Sequence, residues 1–210
     1  SGSRRVLACP YHAWSFDITG KMVGMPGADA FPTDPLSDRS LDLRPVERLD
    51  EFCGFVFVCF DSQAMSLDEY LADAKEYLAY VADHGPEGMQ VIGDTQEYSA
   101  AANWKMLQEN SADSYHGMST HSTYFDYLRS RDGAASKKSE HGGVRNLGNG
   151  HAVIESIGAL PWGRPYARWV PGFGEGSRAE IEGLSEEIHA RLGPERGQVV
   201  AHGDRNLLIF

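Results

Sequence analysis

CPYHAWSF, Cys9–Phe16, places a cysteine and a histidine three positions apart in one short stretch. A Cys-x-x-His pair can offer a thiolate and an imidazole from a single loop, and a tetrahedral or cluster site needs two more donors. Taken alone, the pair is half of a metal site or none. The surrounding residues read as short strands, Arg5–Ala8, Ser15–Ile18 and Lys21–Val23, with a turn at Thr19-Gly20. A loop rich in Pro and Asp follows from Pro26 to Arg39. A strand over Leu41–Val46 and the β-prone GFVFVCF at Gly54–Phe60 then complete a small β domain. Cys53 and Cys59 are expected to be buried small hydrophobes in that apolar strand.

At Ser66 the pattern changes. Ser66-Leu-Asp-Glu69 is a capping-box sequence, and apolar residues recur at helical spacing from Leu67 to Val81, predicting one helix that stops near Gly85-Pro86. Gln90–Ser99 reads as a strand. Ala101 to about Tyr115 reads as a helix with Trp104, Leu107 and Ala112 available to pack, residues 129–150 as loop, and HAVIESI from His151 as a strand. A helix over Arg178–Leu192 and a strand over Arg205–Phe210 follow. GFGEG at Gly172–Gly176 lacks the flanking strand and third glycine of a dinucleotide loop, and is read as a turn. Strands and helices separated in this way indicate α+β architecture.

Composition narrows the function. Lys+Arg 19 against Asp+Glu 30 gives a net charge of −11, which disfavours a nucleic-acid partner. No apolar run is long enough to cross a bilayer, and no basic segment precedes an apolar one at the N-terminus, so neither a membrane nor a secretory route is expected. Three cysteines cannot all pair, which fits a reducing cytoplasm. The ends, SGSRRVLACP and NLLIF, read as cuts through a longer protein.

The second constellation is NWKMLQENSADSYHGMSTH, Asn103–His121. If its helix runs through Tyr115, Asp113 and His116 share one face about a turn apart. Gly117 would then loosen the helix and let His121 swing back towards His116. His-x4-His is one residue longer than a zincin helix requires and no HExxH is present, so a hydrolytic zinc site is disfavoured. Two imidazoles plus a carboxylate leave positions open on an ion, as in non-haem ferrous oxygenases. Asp113 is either that carboxylate or, as favoured here, the partner that orients His116. Packed or surface histidines, and a solvated helix face at Glu109 and Asn110, are the plainer alternatives.

Together, CPYHAWSFDITGK and ENSADSYHGMSTH resemble the Rieske motif's second half and the iron motif of the large (α) subunit of Rieske-type aromatic-ring-hydroxylating dioxygenases. The resemblance covers most of the chain, in the family's order. It implies a small all-β Rieske domain, of which residues 1–64 are the C-terminal part, followed over 65–210 by the N-terminal part of a helix-grip catalytic domain of antiparallel sheet plus helices. It also implies that Cys9 and His12 bind a 2Fe-2S cluster, with Pro10, Tyr11 and Trp14 walling it, and that His116 and His121 bind a mononuclear Fe(II). The family's first Cys-x-His and its third iron ligand match nothing between Ser1 and Phe210.

By the same resemblance Asp113 bridges His116 to His12 of a neighbouring subunit in a homotrimer, with or without a β subunit. The implied activity is that of a terminal oxygenase, using O2 and electrons from a ferredoxin or reductase to hydroxylate or dihydroxylate an aromatic substrate. The pocket is expected to be apolar, with Met106, Asn110, Tyr124 and Phe125 as candidate lining residues. The competing readings are a Rieske-family monooxygenase or O-demethylase, a non-catalytic helix-grip ligand-binding domain, and a structural zinc site at Cys9 and His12.

Overall fold

The computed structural model describes residues 4–90, 93, 97–132, 141–157, 166–169 and 173–210. The chain divides into two compact units, one of Ser1–Leu49 with Val58–Ala64, the other of Asp50–Phe57 with Met65–Phe210.

The first unit is built on an antiparallel sheet of β1 (Val6–Ala8), β2 (Ser15–Asp17) and β3 (Met22–Gly24) over a small core of Phe16 and Met22. Asp17 closes the β2–β3 turn. Its Oδ1 accepts from Thr19 N at 2.8 Å, Thr19 Oγ1 at 2.6 Å and Lys21 N at 3.1 Å, and the Thr19 hydroxyl above all holds the carboxyl below its usual pKa. The strand expected over Leu41–Val46 is absent. Leu41 ends a 3-10 turn, Asp42 turns inward to accept from Met22 N at 2.7 Å, and Leu43 N donates to Gly20 O at 2.8 Å. These residues bond the β2–β3 turn instead of a neighbouring strand.

β4 (Arg48–Phe52) and β5 (Phe55–Cys59) form a hairpin whose turn residues, Cys53 and Gly54, have φ of 52° and 84°, as a two-residue turn matched to strand twist demands. Cys53 is therefore exposed at the tip and Cys59 is half-buried, against the expectation that both sit in a core.

In the second unit the capping box forms as expected, Ser66 Oγ accepting from Glu69 N and Ser66 N donating to Glu69 Oε2 at 3.0 Å. The expected single helix is two, α1 (Leu67–Leu71) and α2 (Ala74–Ala82). Ala72 breaks it with φ 46° and ψ −127°, and Asp73 N donates to Leu147 O at 3.1 Å. A Cβ added at Gly148 would lie 3.1 Å from Ala72 Cβ, so the close approach of that strand end accompanies the break.

α3 (Trp104–Ala112) is shorter than the helix expected to Tyr115. Asn103 caps its start through Lys105 N, and Asp113 is extended at φ −92° and ψ 109°. α4 (Gly117–Thr120), α5 (Ser122–Asp132) and β6 (His141–Gly148) follow, the last two falling in part on residues read as loop. β7 (His151–Ile157) is where HAVIESI predicts it, and α6 (Arg178–Leu192) matches its predicted span. An unforeseen α7 (Pro194–His202) leads into β8 (Gly203–Leu208), which starts two residues early. Of the Gln90–Ser99 stretch, residues 91, 92 and 94–96 lie outside the described residues and the others are not in strand. Of GFGEG, Gly172 lies outside the described residues and the rest enters the 3-10 turn Glu175–Ser177.

Strands β6, β7 and β8 form an antiparallel sheet in that order. Val153 on β7 packs with Ala74 and Tyr77 of α2 and with Leu147, while Ile188 of α6 packs with Val200 and Ala201 of α7. Glu155 pairs directly with Arg205, and Tyr77 of α2 bonds Glu155, so these odd-numbered positions face α2. The even-numbered pairs, Ile154 with Asn206 and Ser156 with Asp204, face the other way.

That second face carries α3. None of the helix's residues is buried, and Trp104 and Leu107 are exposed rather than packed in a core. α3 is held by Gln108 Nε2 donating to Gly150 O at 2.8 Å, Asn206 Nδ2 donating to Ser111 O at 3.4 Å, and Trp104 stacking on Phe210 at 4.6 Å. Among the described residues no helix is long and apolar enough to cross a membrane.

Candidate metal centres and cavity

The Cys9–His12 loop leaves β1 and returns to β2. Cys9 N donates to Trp14 O at 2.8 Å, Ala13 N donates to Cys9 O at 2.9 Å, and Ala13 takes φ 59° to close the loop. Cys9 and His12 are both exposed on it, with the Tyr11 ring edge-on to His12 at 3.8 Å. A cysteine sulfur and an imidazole are thus both exposed on one turn closed by two backbone hydrogen bonds. That suits half of a cluster's ligand set.

At the second constellation the helix ends before Asp113, and a short loop delivers the carboxylate. Asp113 Oδ1 accepts from Tyr115 N at 2.6 Å and Oδ2 contacts His116 Nδ1 at 3.0 Å. The Tyr115 N–H foremost, then the His116 contact, hold the Asp113 carboxyl below its usual pKa. Gly117 starts α4 where a loosened helix was expected, and this turn returns His121 to within 5.3 Å of His116, ring centre to ring centre. Because a carboxylate can only accept, the assigned tautomer has His116 Nδ1–H donating, which leaves the Nε2 lone pair free for a metal. Two imidazoles suit a ferrous ion in part. Among the described residues no group of three His, Cys, Asp or Glu is arranged to hold a metal.

A cavity of about 560 Å³ lies between this segment and the α3-facing side of the sheet. His116, His121, Asp113 and Asn110 line one side and Ile154, Ser156, Asp204 and Asn206 the other. Most of the lining residues carry polar side chains, Ile154 being the one large aliphatic residue among the described lining. Of the four candidate lining residues, Asn110 is in place. Met106 and Tyr124 are exposed and Phe125 is buried at 2% exposure, all three outside the described lining.

The Rieske [2Fe-2S] domain model matches residues 1–37, which include the Cys9–His12 loop. Over the whole chain, toluate 1,2-dioxygenase subunit alpha of Pseudomonas putida is 30% identical, and 2-halobenzoate 1,2-dioxygenase large subunit of Burkholderia cepacia is 28% identical. The chain is homologous to ring-hydroxylating dioxygenase large subunits. It spans about half the length of these curated relatives, 46% and 44% respectively. The solved naphthalene 1,2-dioxygenase from Rhodococcus sp. bound to indole is similar in structure, at a TM-score of 0.69 and 28% identity, over 100% of this chain and 45% of that one.

The second unit also holds polar groups that the sequence does not reveal. Glu155, its side chain 5% exposed, accepts from Tyr77 OH at 3.1 Å, pairs with Arg145 at 3.1 Å and lies 4.0 Å from Arg205. Burial, followed by the charge of Glu155, pushes the Tyr77 hydroxyl up to about 12. Tyr77 reads in sequence as an apolar helix position, and only the sheet register reveals its partner. Asp204 and Asn206 fall within or beside the predicted last strand, and nothing in that pattern marks the face they take.

Proposed function

We propose that the chain forms part of a terminal oxygenase that uses O2 and electrons from a ferredoxin or reductase to dihydroxylate or hydroxylate an aromatic ring. On this reading residues 1–64 are the C-terminal part of the Rieske domain and 65–210 the N-terminal part of the catalytic domain, in a cytoplasmic enzyme. The observation that carries it is the 3.0 Å contact of Asp113 Oδ2 with His116 Nδ1, beside a cavity shared with His121. When bound, a 2Fe-2S cluster supplies single electrons and a ferrous ion supplies O2 activation.

The chain's own residues position these groups. Cys9 and His12 hold the cluster from a loop closed by two backbone hydrogen bonds. His116 offers Nε2 because its Nδ1–H donates a hydrogen bond to Asp113, and His121 offers the second imidazole. Asp113 is 40% exposed along its side chain, so its open lone pairs can accept one more hydrogen bond from outside the unit. We assign that donor to His12 of a second copy, in a head-to-tail trimer. The bridge then links the two metal centres through a single carboxylate.

The test is turnover of the purified, metal-loaded protein with ferredoxin, reductase, isotopically labelled O2 and an arene. Two labelled atoms in a cis-dihydrodiol mark dioxygenation, and one in a phenol marks monooxygenation. Unlabelled ring product, or none while both metals are present, overturns the proposal.

A further inference from the structure

The wall facing His116 and His121 is unlike a hydrocarbon pocket. Asp204, Arg205 and Asn206 of β8 line it, and the period of the strand sets Asp204 and Asn206 on one face, paired with Ser156 and Ile154. Asn206 shows which way this face looks, because its Nδ2 donates to Ser111 O on α3. That donation uses one of the two amide N–H groups, and Asn206 Oδ1 remains an acceptor. Asp204 is half-buried, and among the described residues no hydrogen-bond donor reaches it. The charge that partly compensates it is Arg205, its neighbour in sequence. That guanidinium lies on the opposite face, donating to Val199 O at 2.8 Å and sitting over the Tyr80 ring at 5.0 Å. Burial pushes the Asp204 carboxyl above its ordinary pKa. A ligand that displaces water from this partly desolvated carboxylate must supply a donor in the water's place.

We propose that Asp204, with Asn206 beside it, makes this cavity selective for an aromatic ring that carries a hydrogen-bond donor, an amino or hydroxyl group. The proposal rests on the oxygenase reading of the His116 and His121 site and names its substrate class. An arylamine N–H or phenol O–H satisfies Asp204, and the ring then extends across the cavity towards the two histidines. An unsubstituted arene leaves the carboxylate unsatisfied, and a benzoate sets a second negative charge against it. Asp204 on this account is a specificity residue and takes no part in holding metal.

The experiment is calorimetric binding of aniline, phenol, toluene and benzoate to the metal-loaded protein without O2, for the native chain and for Asp204→Asn and Asp204→Leu. Circular dichroism confirms that the variants fold, and the near-isosteric Asn variant serves if Leu does not. Aniline and phenol are expected to bind the native chain more tightly than toluene or benzoate. Asp204→Leu is expected to weaken both by about 10-fold or more, the loss of a hydrogen bond to a charged acceptor, while sparing toluene. Asp204→Asn is expected to weaken them less and to improve benzoate. Equal binding of aniline and toluene by the native chain, tighter binding of benzoate, or indifference of aniline to both variants overturns the proposal. Turnover separates it from the oxygenase reading: binding that depends on Asp204 without ring oxidation defeats that reading alone, and oxidation without this dependence defeats the selectivity.

Discussion

Replacing Tyr77 by Phe removes one hydroxyl from a buried site and leaves the ring in place. Tyr77 OH donates to Glu155 Oε1 at 3.1 Å, where Glu155 also meets Arg145 and Arg205, so the carboxylate stays paired in the variant. A hydrogen bond to a charged group is worth about 1.5–3 kcal/mol, and Tyr77→Phe should lower unfolding stability by about that amount at pH 8. The loss has a pH signature. Tyr77 is raised from 10.0 to about 12 in the folded protein, so its contribution is complete below pH 10 and is lost as pH rises through the window from 10 to about 12. Between pH 8 and pH 11 the native protein should therefore lose about 1.4 kcal/mol more than the variant, one pKa unit's equivalent. Urea unfolding of both proteins, followed by far-ultraviolet circular dichroism at pH 8, 9, 10 and 11, measures the difference. Equal stability at pH 8, or a difference that does not shrink above pH 10, refutes the reasoning.

Other perturbations test separate parts of the account. Asp113→Ala should retain both metal centres by iron analysis yet stop product formation, whereas normal turnover contradicts the bridging role. Cys9→Ser should abolish the visible absorption and electron paramagnetic resonance of the Rieske centre while mononuclear iron binding persists. Gly197→Ala places a Cβ 2.8 Å from His189 Cα at the α6–α7 contact and should cost about 1–3 kcal/mol in urea unfolding, an overpacking penalty. Gly148→Val meets Ala72 and a φ of 89°, so it should destabilise the protein more than Val at the exposed, open Gly176.

Much of this architecture is legible in the residues themselves. Ser66 and Glu69 announce a helix start, HAVIESI announces a strand, and Arg178–Leu192 announces a helix, because each signal is local. The misread places depend on distant partners. The break at Ala72 accompanies Gly148 more than seventy residues later, and the Leu41–Val46 strand is lost because Asp42 and Leu43 bond to the β2–β3 turn. Cys53 reads as core from its apolar neighbours, while the turn geometry of Cys53-Gly54 places it outside.

The site shows the same division. Asp113 and His116 lie close enough in sequence to be paired on spacing alone, and they meet although the helix assumed to carry them ends at Ala112. Met106 and Phe125 flank the motif in sequence, yet Met106 is exposed, Phe125 is buried, and neither is among the described lining of the cavity. Asp204 and Asn206 reach the cavity only through the register of β8 on β7, which nothing in a single strand's pattern specifies.

The most direct measurement of the central claim is an anaerobic Fe(II) titration of the cluster-loaded protein, with iron analysis after gel filtration, for the native chain and for the double variant His116→Ala, His121→Ala. The native protein should take up a single ferrous ion per chain beyond the cluster, and the variant should lose that ion while keeping its Rieske spectrum. A variant that retains the extra iron, or a native protein that never binds it, contradicts the account.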